Sequence, residues 1–289
     1  MLLKKCFKLF TAFLFTVSLQ SELNADIESY QMAAEFDRST WTTPHDLFII
    51  HSIPKCGTHF IQKVVNLITN QEILEGSPKL EKMQKACKNN QVLRIHQRYS
   101  RDSMGLVTKA EHKVIAMVRD PRDALISHVF YMRTFKKGVL KRDFFNVGSD
   151  FDTLTLEEQI TSLIVGDKYA DSYIDYYKER TGWALAKGNL YIKFEELAGE
   201  EGGGSKELQK QAIEKIAKYI KINLSNDNLE FVLNSMYTKR PDEVQEGKTF
   251  KRGSTGNWKT FLTKEQIKLI KAKLGKQLIQ LGYEKDMNW

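Results

Sequence analysis

The chain has 289 residues, 42% of them hydrophobic and 28% charged, with only 5 prolines. That composition suits one large α/β domain and excludes a fold that needs disulfides or a structural metal to close its core. The net charge of +8 favours an anionic ligand or surface, yet no DNA- or RNA-binding motif, and no basic helix with interleaved aromatics, accompanies it.

The first residues read as a targeting segment. Lys4, Lys5 and Lys8 make a basic start, and Leu9 to Leu19 form an apolar run too short to span a bilayer comfortably. Small and polar residues follow, ending near Ala25. Residues 1–25 therefore predict an exported or secretory-lumenal protein, with a cytoplasmic or membrane-anchored chain as the alternative. Leu23, at the minus-three position, is bulkier than the residue usual before a cleavage site. Without residues 1–25 the net charge falls to about +6. Residues 26–45 are a mixed lead-in, and 46–289 read as the domain. Cys6, Cys56 and Cys87 lie far apart, with no Cys-x-x-Cys pair and no histidine at zinc-ligand spacing, so no metal site is expected.

Leu47 to Ile50 is a short apolar run, the mark of a buried central strand. Ser52-Ile53-Pro54-Lys55-Cys56-Gly57-Thr58 interrupts it, and a helical pattern follows with Phe60, Val64, Leu67 and Ile68 on one face. A polar helix over 78–88 precedes a strand from Val92 to Ile95 that ends at His96. Val114 to Val118 is a third strand. It leads through Arg119-Asp120-Pro121 into a helix to 134, with Asp120 as N-cap and Pro121 at the first helical position. Helices over 155–165 and 169–186, a strand at 190–194 and an exposed Gly-rich loop from Gly199 to Ser205 come next. Helices over 206–222, 225–236 and 264–281 complete the pattern. Strands alternating with helices predict a three-layer α/β fold around a mainly parallel sheet.

Three clusters carry chemistry. Pro54-Lys55-Cys56-Gly57-Thr58-His59 lies between strand and helix, where main-chain N–H groups and the helix dipole favour an anion. Gly57 permits close approach, Thr58 adds a hydroxyl and Lys55 a full charge; His59 can reach phosphate too. This is not a Walker A loop, whose lysine follows the second glycine and precedes a magnesium-holding Ser or Thr. The bland reading is a strand-to-helix turn with an incidental lysine. In the second cluster Arg119 stands at a strand's carboxyl end, with Ser127 on the same helical face, an arrangement suited to a second phosphate. Arg122 and Asp123 read as a solvated first helical turn. The third, Lys251-Arg252-Gly253 followed by Gly256-Asn257-Trp258-Lys259, is a basic loop able to close over phosphate, though alone it reads as surface.

In register, these clusters resemble one known family. P-K-C-G-T-H-F resembles the 5′-phosphosulfate loop P-K-S-G-T-T-W of the cytosolic-type sulfotransferases. R-D-P-R-D-A-L-I-S is similar to their 3′-phosphate motif R-N-P-K-D-x-x-x-S. F-K-R-G-S-T-G-N-W-K-T-F-L-T is similar to their C-terminal R-K-G-x-x-G-D-W-K-N-x-F-T. The order is kept over roughly residues 46–283. The resemblance implies a P-loop-type fold and 3′-phosphoadenosine 5′-phosphosulfate (PAPS) as co-substrate, with no metal required. It makes His96, in R-I-H where the family has K-T-H, the general base, and Lys55 the stabiliser of the leaving phosphate oxygen. Nucleotide contacts would come from Lys55, Cys56, Gly57, Thr58, His59, Phe60, Arg119, Ser127, Phe194, Lys251, Arg252 and Gly253.

Elementary chemistry agrees with those roles. A hydroxyl acceptor must lose its proton, which a near-neutral imidazole can take, and the leaving oxygen needs a positive charge. Four departures stand out. Cys56 replaces Ser, keeping the main-chain N–H but losing a hydroxyl. Phe60 replaces the Trp expected to stack on adenine, and Phe194 in F-E-E-L replaces Tyr. Over Lys259 to Lys268 the family's dimer motif has Lys264 for Val and Lys268 for Glu, which argues against the usual homodimer. The expected acceptor is a small alcohol, phenol or amine, with carbohydrate and peptide tyrosine also admissible. Its pocket is expected around 78–90, 135–155 and 238–250, with Phe135, Phe144, Phe145, Phe151 and Tyr237 as lining. The competing readings are a P-loop kinase or NTPase and a non-catalytic nucleotide- or polyanion-binding protein.

Overall fold

The computed structural model describes residues 47–75, 91–134, 146–148, 150–236 and 255–289. Among these, five strands form the centre: β1 (Phe48–Ser52), β2 (Glu72–Glu75), β3 (Gln91–Ile95), β4 (Lys113–Val118) and β5 (Leu190–Lys193), in the order β2-β3-β1-β4-β5. Every neighbouring pair is parallel. The helices are α1 (Thr58–Thr69), α2 (Arg101–Lys109), α3 (Pro121–Thr134), α4 (Leu156–Val165), α5 (Tyr173–Lys178), α6 (Gly182–Leu185), α7 (Phe194–Leu197), α8 (Lys206–Tyr219), α9 (Asn226–Ser235), α10 (Trp258–Phe261) and α11 (Lys264–Gln280).

A parallel sheet must be covered on both faces, and the strand side chains divide accordingly. On β1, Ile49 joins one core while Phe48 and Ile50 join the other. On β4, Val114, Ala116 and Val118 face the first core, Ile115 and Met117 the second. This is the period-two alternation of a strand. Because both sides are apolar, it reads in sequence as an unbroken hydrophobic run. The first core is closed by α3, α4, α5, α6 and α11, the second by α1, α8 and α9.

Four of the five strands follow the predicted pattern. β2 does not: Glu-Ile-Leu-Glu is short and bracketed by charge, and it is a strand because Ile73 and Leu74 pair with Val92 and Leu93 of β3. α2 is also additional, begun by Ser100, whose hydroxyl accepts the Ser103 N–H at 3.0 Å. The predicted helix over 169–186 divides into α5 and α6. Asp167 accepts the Tyr169 and Ala170 N–H groups, forming a turn that delays the helix to Tyr173. Gly182 then passes so close to Tyr99 that a Cβ would lie 2.3 Å from its ring. The Gly199–Ser205 segment is not simply an exposed loop. Gly202 is buried, and a Cβ on Gly204 would lie 2.6 Å from the Glu195 carbonyl. The polar helix expected over 78–88 lies outside the described residues.

From β1 at the middle of the sheet, the order runs to β3 on one side and β4 on the other. In open α/β sheets such a switch point opens a crevice at the strands' carboxyl ends, where ligands bind. The segments that leave β1, β3, β4 and β5 all meet on that edge.

Candidate active site

The loop after β1 is built on unusual backbone. Lys55 has φ +71° and Gly57 has φ +94°, both left-handed. Glycine is required at 57: a Cβ there would lie 2.7 Å from Phe194 Cδ2 and 3.0 Å from Met117 Cε. Gly57 is also the N-cap of α1, which therefore has no side-chain cap and no acidic residue in its first turn. By contrast, Thr155, Ser205, Ser225 and Thr263 each accept an N–H from the first turn of α4, α8, α9 or α11. Such a start presents the positive end of a helix dipole to an anion.

Within this loop the side chains point two ways. The Cys56 N–H donates to the Ile53 carbonyl at 3.0 Å, and its fully buried thiol is pushed up to about 12 by burial. The Cys56 side chain thus faces the core, and an inward position tolerates a thiol in place of a hydroxyl. Lys55 Nζ lies 4.0 Å from the Tyr131 ring centroid. Burial, aided by the nearby charge of Arg119, lowers its pKa to about 8.

His96 follows β3 directly. Its Nδ1 lies 2.5 Å from the Ser52 carbonyl oxygen, an acceptor only, so Nδ1 carries the proton and Nε2 the lone pair. Burial lowers the His96 pKa, with the Ser52 hydrogen bond opposing it. The hydroxyl of the same Ser52 lies 2.8 Å from Thr58 Oγ1, at the start of α1. Arg180 Nε donates to the His96 carbonyl at 2.9 Å and Trp183 Nε1 to the Gln97 carbonyl at 3.0 Å, which holds the strand end in place. His51 differs: its ring stacks on Trp183, and burial lowers its pKa to about 3, the signature of a structural histidine.

At the β4–α3 junction Asp120 Oδ1 accepts the Arg122 N–H at 2.9 Å, and Pro121 opens the helix as predicted. Arg119 Nη1 donates to the Lys55 carbonyl at 3.2 Å, and its guanidinium lies 4.6 Å from the Phe194 ring. The two predicted anion motifs are thereby in contact. Phe194 underlies both, and the half-buried Phe60 ring is 6.2 Å from it. Thr58 is largely buried, His59 is exposed at the start of α1, and Ser127 is half-buried on α3.

Arg122 and Asp123 are not a solvated turn; each is 2% exposed. Arg122 pairs with Asp120 at 2.6 Å and Glu284 at 2.5 Å. Asp123 accepts the N–H groups of Gly256 at 2.6 Å and Trp258 at 2.9 Å. The third motif therefore folds back onto α3, a contact no local pattern announces. Lys251, Arg252 and Gly253 lie outside the described residues, but Thr255 to Trp258, which follow them, are anchored here. Phe151 is fully buried in the first core and is not pocket lining; Phe135, Phe144, Phe145 and Tyr237 lie outside the described residues.

Several positioning groups had no signal in sequence. The Tyr173 hydroxyl donates to the Pro54 carbonyl at 2.7 Å, and the Tyr177 hydroxyl to the Arg119 carbonyl at 2.7 Å. Glu195 accepts from the Asp120 N–H at 2.8 Å and the Tyr283 hydroxyl at 3.0 Å. Ser52, beside the phosphate loop, and Glu195, in F-E-E-L, stood within segments already marked, but nothing in the sequence assigned either a partner.

These features define a P-loop-type α/β protein with a candidate anion site at its switch point. A family model described as a sulfotransferase domain matches residues 44–282, and the chain belongs to that family. Mouse sulfotransferase SULT7A1 complexed with PAP shares the fold with a TM-score of 0.59 at 20% identity, over 87% of this chain and 90% of that one. Retinol dehydratase in complex with retinol and PAP does so with a TM-score of 0.55 at 15% identity, over 87% and 86% of the two chains. The same enzyme with androsterone and inactive cofactor PAP gives 0.52 at 15% identity, over 86% and 85%.

Proposed function

We propose that this chain transfers a sulfuryl group from PAPS to a hydroxyl or amine of a small-molecule acceptor, with His96 as general base and Lys55 on the leaving oxygen. The observation that carries this reading is the double use of Ser52: its carbonyl orients His96 while its hydroxyl meets Thr58 of the anion loop. Base and loop thus share one rigid residue.

His96 Nε2 takes the acceptor's proton as the new bond to sulfur forms. The bond from sulfur to the 5′-phosphate oxygen breaks, its electron pair stays on that oxygen, and the Lys55 ammonium meets the developing charge. An arriving anion raises the pKa of a desolvated lysine, so Lys55 is charged when the site is filled. Arg119, Ser127 and the Lys251–Gly253 segment hold the 3′-phosphate, and Phe60 and Phe194 contact adenine. The PAP in the related structures supports the nucleotide. The retinol and androsterone in them support an apolar alcohol as acceptor.

An acceptor screen with labelled sulfate donor tests the reading. Transfer is expected from the wild type and is expected to fall at least about 100-fold in Lys55→Ala and His96→Ala, while His96→Ala still binds adenosine 3′,5′-bisphosphate. Undiminished transfer by His96→Ala would sink the assigned base. We also propose that residues 1–25 direct export and that Lys264 and Lys268 disfavour the usual homodimer. N-terminal sequencing of the mature protein and its mass in solution test these; an intact Met1 start in a cytosolic fraction, or a stable dimer through this segment, would refute them.

A further inference from the structure

Lys55 stands on left-handed backbone, half-buried, with Arg119 repelling its charge. Among the described residues, the titratable groups that face it are Cys56 from its own loop, Arg119 from the β4–α3 junction, and His128 and Tyr131 from α3. Burial keeps three of them neutral: it pushes the Cys56 thiol up to about 12, lowers the His128 pKa to about 3 and raises that of the Tyr131 phenol. Arg119 is the one charge of the four, and it disfavours a second cation. What favours the Lys55 ammonium is the Tyr131 ring, whose centroid lies 4.0 Å from Nζ. A partly desolvated cation over a π face is a stabilising arrangement.

Tyr131 is 40% exposed, yet it belongs to a row of rings tied to the same loop. Its centroid lies 6.5 Å from that of His128, which stacks at 4.6 Å on the fully buried Tyr173 of α5. The Tyr173 hydroxyl donates to the Pro54 carbonyl at 2.7 Å. The row therefore holds the main chain one residue before Lys55 and meets the Lys55 ammonium at its other end. A surface tyrosine that met a lysine by chance would not be connected to the loop twice. We propose that Tyr131 is a positioning residue for Lys55, its ring holding the ammonium at the anion loop until the charge on the leaving oxygen takes it over. Tyr131 acts through the lysine and not on the reacting atoms. The inference rests on the transfer reading above, which gives Lys55 its task and gives Tyr131 none.

The test uses the full chain with Tyr131→Leu, which keeps apolar cover but removes the π face, and Tyr131→Phe, which keeps both. Acetic anhydride labelling of Lys55 in the free protein, read by mass spectrometry across pH, follows loss of its proton without any turnover. A ring that favours the charged form raises the lysine's pKa, so in Tyr131→Leu labelling should begin about half to one pH unit lower. The alkaline limb of kcat/KM for PAPS should move down by the same amount, a loss of about 3–10-fold on that limb, while the acid limb set by His96 stays in place. Tyr131→Phe should return both curves to those of the wild type. A purely structural defect would lower the whole profile without moving either limb. If Tyr131→Leu fails to fold by circular dichroism, Tyr131→Met carries the same comparison. A folded variant whose labelling curve matches the wild type, or whose labelling moves while the alkaline limb does not, overturns the role of Tyr131 alone. A wild-type chain whose Lys55 labelling depends on Tyr131 but which transfers no sulfuryl group overturns the transfer reading and leaves the contact between ring and lysine standing.

Discussion

The loop after β1 and the junction after β4 each receive one end of the same nucleotide in the proposed reaction, yet they are built in different ways. The first relies on main chain: left-handed Lys55 and Gly57, a helix start without a side-chain cap, and a lysine whose pKa burial lowers to about 8. The second relies on ion pairs and aromatic faces, with Arg122 held between Asp120 and Glu284 and Asp123 accepting the Gly256 and Trp258 N–H groups of the segment folded over it. Chemistry needs a cation whose charge responds to the arriving group. Recognition needs cations already set in position, so that little ordering remains to be done on binding.

The sharpest way to break that division is at the chemical end. His96→Ala should lower kcat by about 10²–10⁴ and Lys55→Ala by about 10²–10³, with bisphosphate affinity by calorimetry little changed in His96→Ala. If Lys55→Ala acted on binding alone, the β1 loop would be a recognition element after all. At the other end, Asp123→Ala leaves the Gly256 and Trp258 N–H groups without their acceptor, at a cost of about 1–3 kcal/mol each if they stay buried. Thermal melts and nucleotide Kd should both worsen while saturated kcat holds.

Gly57→Ala separates backbone from charge. A left-handed alanine pressed against Phe194 should cost about 1–3 kcal/mol of stability and weaken nucleotide binding, although no charge is removed. An unchanged melting temperature would show that the loop relaxes freely.

The pH dependence sharpens the comparison further. His96 must be neutral to accept a proton, and burial places its pKa below the usual 6.5, so activity should appear as pH rises through a value under 6.5. Lys55 must be charged, and in the free enzyme it loses its proton as pH rises through about 8. A bell-shaped kcat/KM with those limbs is expected, since this ratio reports the free enzyme. In Lys55→Arg the alkaline limb should vanish; its persistence would assign the limb to another group. The smallest effect belongs to Ser52→Ala, which removes the hydroxyl contact to Thr58 but keeps the carbonyl on His96. A loss of about 1 kcal/mol in stability and a few-fold fall in kcat are expected, and a total loss of activity would mean that the hydroxyl serves the reaction directly.

Legibility in sequence followed the range of the interactions. β1 and β4 announced themselves because a strand buried on both faces is apolar almost throughout, and β3 and β5 by shorter runs, Val92-Leu93 and Leu190 to Ile192; β2, carrying charge at both ends, became a strand only beside β3. Lys55, Gly57, Arg119 and Asp120 were readable because a strand-to-helix turn places such residues within a few positions of one another. Arg122 and Asp123 were misread as solvated, since their partners Glu284, Gly256 and Trp258 stand more than a hundred residues away.

The chain's order of residues determined by itself the alternation of strand and helix and the strand-to-helix turns that follow β1 and β4. Each depends on short-range backbone preference or on a side chain's intrinsic chemistry. Only the tertiary structure decided which nitrogen of His96 carries the proton, which cations are ion-paired, and that Trp289 lies against Arg122 of α3. Those outcomes depend on burial and on hydrogen-bond partners that exist only once the sheet has brought its carboxyl ends to one edge.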